Sequence, residues 1–428
     1  MADLIPEPVE AKRYLSRKAV VETERWNDLK HGEHAHAFTV AHSRNANVLD
    51  DIFKLLNTAM AEGKSFNDFK KEMHDLMRKK KWYGRDDKGP DDEEYINWRT
   101  RLIYHVNMRT AYEAGRFRQQ LRGAKLRPIW QYTSKLAGKH RREDHIALHG
   151  KAFRFDDPFW NENRPPNGWG CECSVVTLSE AGAAREGVEI LSTDAFGNLP
   201  ALVDRNGNAV DWKKFTPETW RYNPGLEALA PNFSKYENLK GRQTTDGRNA
   251  YDRVVERYNN DMDGTRLTAS EFDALIRRIN RNDYLPVGIN YQVGNLDQQR
   301  HQAMRNAGVV DSKIMSTDGK LYHGIEIKNK RVARRKKQQI TSPDQRVPAD
   351  QQKLLYQTLQ SPDRIFEEVK GKRPNQGRIF HFITDTHDGK VIKVLLEQKN
   401  PDTALQVTTI SKVEDQYGRR PDDYKEIR

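Results

Sequence analysis

The chain has 428 residues, of which 36% are hydrophobic and 31% charged, and its formal net charge at pH 7 is +12. This length predicts roughly two to four domains. No stretch approaches the roughly 20 apolar residues that a membrane-spanning helix needs, which excludes that class of membrane protein. The first residues, MADLIPEPVEAKRYL, do not have the pattern of a secretory signal, so we expect a cytoplasmic protein. The excess of positive charge indicates an anionic partner, with nucleic acid ahead of an acidic protein surface.

Residues 1–130 are predicted to be mainly helical. Apolar residues recur at helical spacing through Thr39–Met77 and again through Tyr95–Leu121. Between these stretches the sequence YGRDDKGPDDEE predicts an exposed loop, because glycine, proline and aspartate interrupt regular structure. Such a region can form a bundle or an arm that wraps a partner, and its charged faces do not distinguish the two.

A small α+β domain is predicted over residues 131–230, where RPIWQYT alternates as a strand does. This segment is rich in tryptophan, proline, glycine and asparagine. Residues 231–284 are predicted to be a linker with short helices. The linker prediction depends on Asn232–Asn249, which is polar and lacks apolar periodicity.

Residues 285–428 predict a second, basic α+β domain with an antiparallel sheet. Four segments have strand character: KLYHGIEI, GRIFHFIT, KVIKVLLE and ALQVTTI. A helix is expected near Ala349–Leu359, and Asp388-Gly389 predicts a hairpin between the second and third of these strands. The fold class predicted for the whole chain is therefore α+β and multidomain.

Two histidines and both cysteines of the chain lie close together in sequence, at His145, His149, Cys171 and Cys173. Histidines at i and i+4 share one face of a helix, and two imidazoles with two thiolates complete a tetrahedral zinc site. The favoured subset is His145 with both cysteines. The alternative is a small aromatic core with buried thiols, which the short Cys-x-Cys spacing fits equally well. Structural zinc is the one cofactor that the sequence predicts.

The same segment resembles the signature of the phage Mu F-like minor head proteins. The matching residues are His145-x-x-Leu148-His149-Gly150-Lys151-x-Phe153, Asp157-Pro158-Phe159-Trp160, Pro165-Pro166-Asn167-Gly168-Trp169-Gly170-Cys171-x-Cys173 and Trp220-Arg221-Tyr222-Asn223-Pro224-Gly225. The resemblance covers about Thr110–Gly225, and it departs from the family pattern at Arg141–Asp144. It implies a role in head morphogenesis near the portal and the packaged DNA. Portal and capsid proteins are then partners, and the protein resides in the virion head, after assembly in the host cytoplasm.

The C-terminal domain resembles, in layout, the barnase–EndoU–colicin–RelE-like nuclease domains that accompany Mu F-like proteins. This resemblance implies an endoribonuclease that needs no metal and uses the ribose 2′-hydroxyl as nucleophile. The residues proposed for catalysis are His323 as acid or base, with Thr408, Thr409 and Lys412 around the phosphate. The nucleic acid is expected to contact the basic run formed by Lys328, Lys330, Arg331, Arg334, Arg335 and Lys336.

Two main hypotheses remain open from the sequence. In the first, the protein is a minor head protein that also carries a ribonuclease effector. In the second, it is purely structural and its C-terminal domain binds nucleic acid without cleaving it, since a basic run is most often a solvated face. A zinc-dependent regulator that binds nucleic acid is a third hypothesis, but the recognition helix or tandem zinc modules it requires are not evident in the sequence.

Overall fold

The computed structural model describes most of the chain. The described residues are 8–136, 142–193, 199–231, 233–262, 267–280, 290–309, 313–317, 321, 346–369, 377–399, 404–415 and 423–427. They form two compact units that divide between Tyr258 and Asn259. Helices and several sheets occur together, which confirms the predicted α+β multidomain class. None of the described helices combines the length and apolar character needed to cross a membrane.

The first unit begins with a helical part that contains most of its apolar core. Its elements are α1 (Val9–Ser16), β1 (Ala19–Val20), α2 (Glu33–His36), β2 (Ala37–Phe38), α3 (Ala46–Glu62), α4 (Phe66–Lys80) and α5 (Glu93–Arg122). Strands β1 and β2 pair in parallel. Fully buried residues such as Leu49, Leu56 and Phe69 pack between the helices. The predicted helical character of this part is confirmed.

The periodic run predicted over residues 39–77 is divided into two helices. The Asn45 side chain accepts a hydrogen bond from the backbone N–H of Asn47, at 2.9 Å, and so caps the start of α3. Gly63 ends α3 with φ at 65°, a left-handed conformation that glycine adopts without steric cost. Ser65 then caps α4 by accepting from the backbone N–H of Asp68 at 3.3 Å.

A three-stranded antiparallel sheet follows the long helix. Its strands and the short helices between them are β3 (Ile129–Thr133), α6 (Glu143–Ala147), β4 (Ala152–Arg154), α7 (Phe159–Glu162), β5 (Ser174–Leu178) and α8 (Glu180–Arg185). Strand β3 lies between β4 and β5. Trp130 in β3 is fully buried, and its ring centroid lies 5.8 Å from that of Phe117 in α5. The sheet therefore packs against the helical part around this tryptophan.

The first unit closes with short helices and extends beyond the predicted domain boundary. These are α9 (Trp212–Phe215), α10 (Pro224–Leu229), α11 (Glu237–Lys240) and α12 (Ala250–Met262), with 3-10 turns at Glu218–Trp220 and Phe233–Lys235. The structure differs here from the linker predicted to begin at residue 231. The backbone N–H groups of Asn238 and Leu239 donate to Glu33 Oε1 at 2.9 and 3.1 Å, and Leu239 is fully buried. The Glu33 carboxylate in α2 thus anchors α11. No periodicity in the linker sequence indicated this helix.

The second unit contains a seven-stranded sheet. Its elements are α13 (Ala269–Ile279), β6 (Asn290–Asn295), α14 (Gln298–Asn306), β7 (Lys313–Thr317), α15 (Gln352–Gln360), β8 (Arg364–Glu368), β9 (Arg378–Asp385), β10 (Lys390–Gln398), β11 (Leu405–Glu414) and β12 (Tyr424–Ile427), with a 3-10 turn at Ala349–Gln351. The strand order is β12-β8-β9-β10-β11-β7-β6, and every pair is antiparallel except β11 with β7. The predicted strands at β9, β10 and β11 and the helix α15 are confirmed. The predicted strand KLYHGIEI lies outside the described residues except for Leu321.

Candidate metal centre

Three buried side chains converge in the first unit. His145 Nδ1 lies 3.4 Å from Cys173 Sγ and 3.7 Å from Cys171 Sγ. The three possible ligand atoms all lie within 4.8 Å of one another. His145 and Cys173 are each 3% exposed and Cys171 is 6% exposed. Both cysteines are free thiols. A nitrogen and two sulfurs therefore face a common point that bulk solvent does not reach.

The imidazole of His145 is held by the end of helix α9. Its Nε2 lies 3.1 Å from the backbone carbonyl oxygen of Phe215, and the two rings are 4.7 Å apart between centroids. A carbonyl oxygen only accepts hydrogen bonds, so Nε2 carries the proton and donates it. The lone pair of the neutral ring is then on Nδ1, the nitrogen that faces the thiols. This contact fixes the tautomer in the form that can bind a metal through Nδ1.

The Cys-x-Cys segment is fastened to the long helix α5. Arg109 Nη2 donates to the carbonyl of Cys173 at 2.8 Å and also to that of Glu172. Further along α5, Arg116 and Gln120 donate to the carbonyl of Val175 at 3.0 and 2.8 Å. Donors separated by seven and four positions share one helix face. One face of α5 therefore positions the backbone that leads from the thiols into β5.

Glycines shape the approach to the thiols. The backbone N–H of Cys171 donates to the carbonyl of Gly168 at 3.1 Å, which closes a tight turn. Gly170 in this turn has φ at 69°, a conformation that other residues rarely adopt. A Cβ on Gly168 would lie 2.5 Å from a guanidinium nitrogen of Arg142, whose other nitrogen donates to the carbonyl of Trp169 at 2.8 Å. The Gly-Trp-Gly sequence is thus required by the turn and by the arginine against it.

The two thiols differ in acidity because they interact with each other. Hydrogen bonding with Cys171 lowers the pKa of Cys173, and the neighbouring His145 and Ser134 side chains act in the same direction. The same interaction, together with burial, raises the pKa of Cys171. Burial, with the nearby thiols, also raises the pKa of Tyr132. Ionisation is therefore favoured at Cys173 over Cys171.

His149, the fourth predicted metal ligand, is not brought to the cluster. Its Nδ1 accepts a hydrogen bond from the backbone N–H of Ser134 at 3.0 Å, and its side chain is exposed. Helix α6 ends at Ala147, so the i, i+4 spacing from His145 does not continue on one helix face. The structure assembles the three-residue subset favoured from the sequence, and His149 instead holds the end of β3.

The aromatic core proposed as the alternative is also present, beside the cluster. Phe153 and Phe159 stack with ring centroids 4.0 Å apart, and Trp160 packs edge-on against Phe159 at 4.9 Å. All three are buried, whereas Trp169 is 38% exposed and lies 5.1 Å from Trp220. Aromatic packing and converging thiols therefore coexist and do not exclude each other.

The sequence Asn223-Pro224-Gly225 joins the sheet to the helical part. The side chain of Asn223 caps α10 by accepting from the N–H of Gly225 at 3.0 Å and donates to the carbonyl of Trp160 at 2.9 Å. A Cβ on Gly225 would lie 2.4 Å from Phe117 Cβ in α5, so only glycine fits this close approach. Asn223 thus has a capping role and Gly225 a packing role.

Sequence reasoning missed the residues that support the cluster. His145 is held by the backbone carbonyl of Phe215, and the side chain of Arg109 donates to backbone carbonyls. Contacts with backbone groups leave no spacing pattern in the sequence. A buried polar chain was also missed: Tyr132 OH donates to Asn167 Oδ1 at 2.9 Å, and Asn167 Nδ2 donates to Thr216 Oγ1 at 3.1 Å. The Pro-Pro-Asn-Gly sequence was the available signal for Asn167, but only as a turn.

In the second unit, the predicted catalytic residues that the structure describes lie on β11. Thr408 is the extra residue of a β-bulge, and its hydroxyl donates to the carbonyl of Leu395 at 3.2 Å. Thr409 pairs with Leu395 across the sheet. Lys412 is 9% exposed and forms an ion pair with Asp388 in the hairpin turn. His323 and the basic run of residues 328–336 lie outside the described residues.

The sequence comparisons agree with the resemblance. The family described as Phage Mu protein F like protein matches residues 50–176. The chain is 34% identical over 242 residues to capsid assembly protein F of Escherichia phage Mu, a match that covers 52% of this chain and 55% of that protein. It is 36% identical over 174 residues to the Mu-like prophage FluMu F protein of Haemophilus influenzae, covering 40% and 42%.

The chain spans about half the length of the curated relatives it matches. No solved structure matches it significantly. Residues 50–176 comprise α3 to the middle of β5, so they contain the helix α5, the sheet and all three residues of the cluster. This part of the chain is similar to the phage Mu F-like family, and the resemblance to that family predicted from the sequence is confirmed.

Proposed function

We propose that this protein acts in phage head morphogenesis, as a minor component of the head. The observation that carries the proposal is the match of residues 50–176 to the phage Mu F-like family, together with similarity to a protein named for capsid assembly. The matched residues contribute to one buried core with the rest of the first unit. Residence in the virion head and contact with portal and capsid proteins are parts of the same proposal.

The experiment is deletion from the phage or prophage that encodes the protein, with the intact chain supplied from a plasmid as the control. We expect capsid shells to form and the yield of infectious, DNA-filled heads to fall. Electron microscopy of the lysate and plaque titre measure the two outcomes separately. A normal titre from the deletion, without complementation, contradicts the proposal.

A location near packaged DNA is supported by charge. The chain has 73 lysines and arginines against 61 aspartates and glutamates, and seven basic residues occur within residues 328–337. A chain with this excess of positive charge gains free energy from phosphate groups through release of counterions. We therefore expect the full-length protein to bind DNA and RNA with an affinity that falls steeply as salt is increased.

The ribonuclease hypothesis for the second unit is tested separately. Purified protein is incubated with RNA, including transfer RNA, in the presence of a chelator. Cleavage that yields 2′,3′-cyclic phosphate ends, and that His323→Ala reduces by roughly 10²–10⁴-fold, supports the enzyme. Binding at low salt without cleavage supports the structural alternative. Of the proposed catalytic residues, Thr408 bonds to Leu395 in β10 and Lys412 forms an ion pair with Asp388 in the β9–β10 turn, and these contacts within the sheet favour the structural alternative.

A further inference from the structure

We propose that His145, Cys171 and Cys173 bind one zinc ion, through the imidazole Nδ1 and two thiolates. The proposal concerns the structure of the first unit and stands apart from any role in head assembly. All three side chains are buried, so the ion would lie inside the fold of the first unit.

The distances between the donor atoms match a tetrahedral zinc site. Zinc binds sulfur at about 2.3 Å and nitrogen at about 2.0–2.1 Å, which places a nitrogen and a sulfur of the same tetrahedron about 3.6 Å apart. The distances from His145 Nδ1 to the two sulfurs are 3.4 and 3.7 Å. An ion at the centre of the cluster therefore requires little movement of these side chains.

The histidine is oriented as a metal ligand is. Histidines that bind metals almost always donate their second ring N–H to a carbonyl, a carboxylate or water, which fixes the ring and the tautomer. Here the N–H group of Nε2 donates a hydrogen bond to the carbonyl of Phe215 at 3.1 Å. This buried carbonyl lies on the far side of the ring from the thiols. Its hydrogen bond with Nε2 therefore directs the Nδ1 lone pair between the two thiols.

Hydrogen bonding alone explains the positions of the imidazole and the two thiols less fully than a bound zinc ion does. The single lone pair of Nδ1 accepts one S–H proton, yet both sulfurs lie at contact distance from it. Cys173 Sγ has a further contact with Ser134 Oγ at 3.4 Å. A cysteine–histidine nucleophile is a poor alternative, since a reactive thiol must be reachable by its substrate and both thiols are buried.

An oxygen ligand completes the tetrahedron in this proposal. Ser134 Oγ, 3.4 Å from Cys173 Sγ, is placed to bind a water in the fourth position. The zinc would join α6 to a loop 26–28 residues further along the chain. Because ligands of this kind do not form a site in an unfolded chain, zinc binding stabilises the folded state.

The test uses the full-length protein, purified under reducing conditions and analysed for metal by mass spectrometry. We expect about one zinc per chain, because the three ligand atoms of a single chain form one site. Cys171→Ser and His145→Ala should lower this to near zero. The matched control is His149→Ala, four residues further along, which should keep the zinc because His149 lies outside the cluster.

A second measurement does not depend on variants that fold. Zinc is exchanged for cobalt in the wild-type protein, and its absorption spectrum is recorded. Tetrahedral coordination with thiolate gives intense visible bands and sulfur-to-cobalt charge-transfer bands. Absence of both bands, or a chain that takes up no zinc when refolded with it, overturns the proposal. Loss of zinc in His149→Ala with retention in His145→Ala overturns the assignment of ligands.

Discussion

Reactive side chains have different surroundings in the two units. In the first, His145 and Cys173 are 28 residues apart in sequence, and their side chains meet in a buried cluster. In the second, Thr408 and Lys412 of β11 direct their polar atoms to Leu395 in the neighbouring strand β10 and to Asp388 in the turn between β9 and β10. The contacts of the first unit bring three possible metal ligands to one point, whereas those of the second satisfy hydrogen bonding and charge between neighbouring parts of one sheet.

This difference shows which kind of sequence resemblance carries information on geometry. The resemblance of the first unit consisted of rare residues at fixed spacing, and several of them, including His145, Asn167 and Asn223, have a specific packing or bonding role. The resemblance of the second consisted of the order of strands and helices. An order of elements predicts a sheet but leaves open whether any hydroxyl or ammonium group is free for catalysis.

The largest effect is expected from Trp130→Ala. This substitution tests whether β3 stabilises the part of the first unit that contains His145, Cys171 and Cys173. Trp130 is fully buried, with Trp160 at 5.8 Å between ring centroids and the Arg164 guanidinium carbon 5.0 Å from its ring. Removal of a buried aromatic side chain costs about 3–5 kcal/mol of folding free energy. Urea denaturation followed by fluorescence should show a much lower midpoint.

The control for this substitution is Trp98→Ala in α5, where the tryptophan is 52% exposed. A change within about 0.5 kcal/mol is expected there. All eight tryptophans lie between residues 26 and 220, so fluorescence follows the first unit alone. Equal midpoints for the two variants would mean that β3 does not anchor this unit.

The prediction of the fold from sequence succeeded where periodicity was strong. It failed where a single long-range contact determines the position of an element. The helix α5 and the strands β9, β10 and β11 have continuous apolar patterns, and they were predicted with nearly the observed bounds. The predicted linker contains α11, whose position depends on Glu33 accepting two backbone hydrogen bonds from more than 200 residues away. No local pattern encodes such a contact.

The candidate site was predicted in part for the same reason. The residue types and their spacing identified His145 and both cysteines, because imidazole and thiol groups are rare in the chain. The extent of the short helix α6 decided the position of His149, and helix ends are poorly determined by sequence. The supporting carbonyl of Phe215 is a backbone group, so the side-chain sequence contains no signal for it.

A smaller effect is expected from pH, and it concerns His381 in β9 of the second unit. Burial, with Lys393 nearby, lowers the pKa of His381 to about 4. An unfolded chain binds this proton near pH 6.5, so the stabilising contribution is complete above that pH and is lost as the pH falls through 4. The loss amounts to at most about 3 kcal/mol, and the Glu368 carboxylate, 3.4 Å from Nε2, reduces it.

The measurement is urea denaturation of the full chain at pH 7 and pH 5, followed by circular dichroism for the second unit and by fluorescence for the first. His381→Gln should flatten the pH dependence of the second unit and leave that of the first unchanged. His387→Gln, at an exposed turn of the same sheet, is the matched control and should keep the wild-type dependence. Identical slopes in all three proteins would show that His381 is charged in the folded state.

The smallest effects are expected in the β10–β11 hairpin, where the comparison between the units is most open to contradiction. Thr408→Val removes one hydrogen bond to the Leu395 carbonyl and should cost about 1 kcal/mol of stability. Lys412→Met removes the ion pair with the exposed Asp388 and should change stability by less than about 1 kcal/mol. If these contacts are structural, neither substitution changes the affinity for RNA or the slope of its salt dependence. A loss of RNA cleavage in either variant, with stability and binding retained, would instead make the hairpin part of an active site.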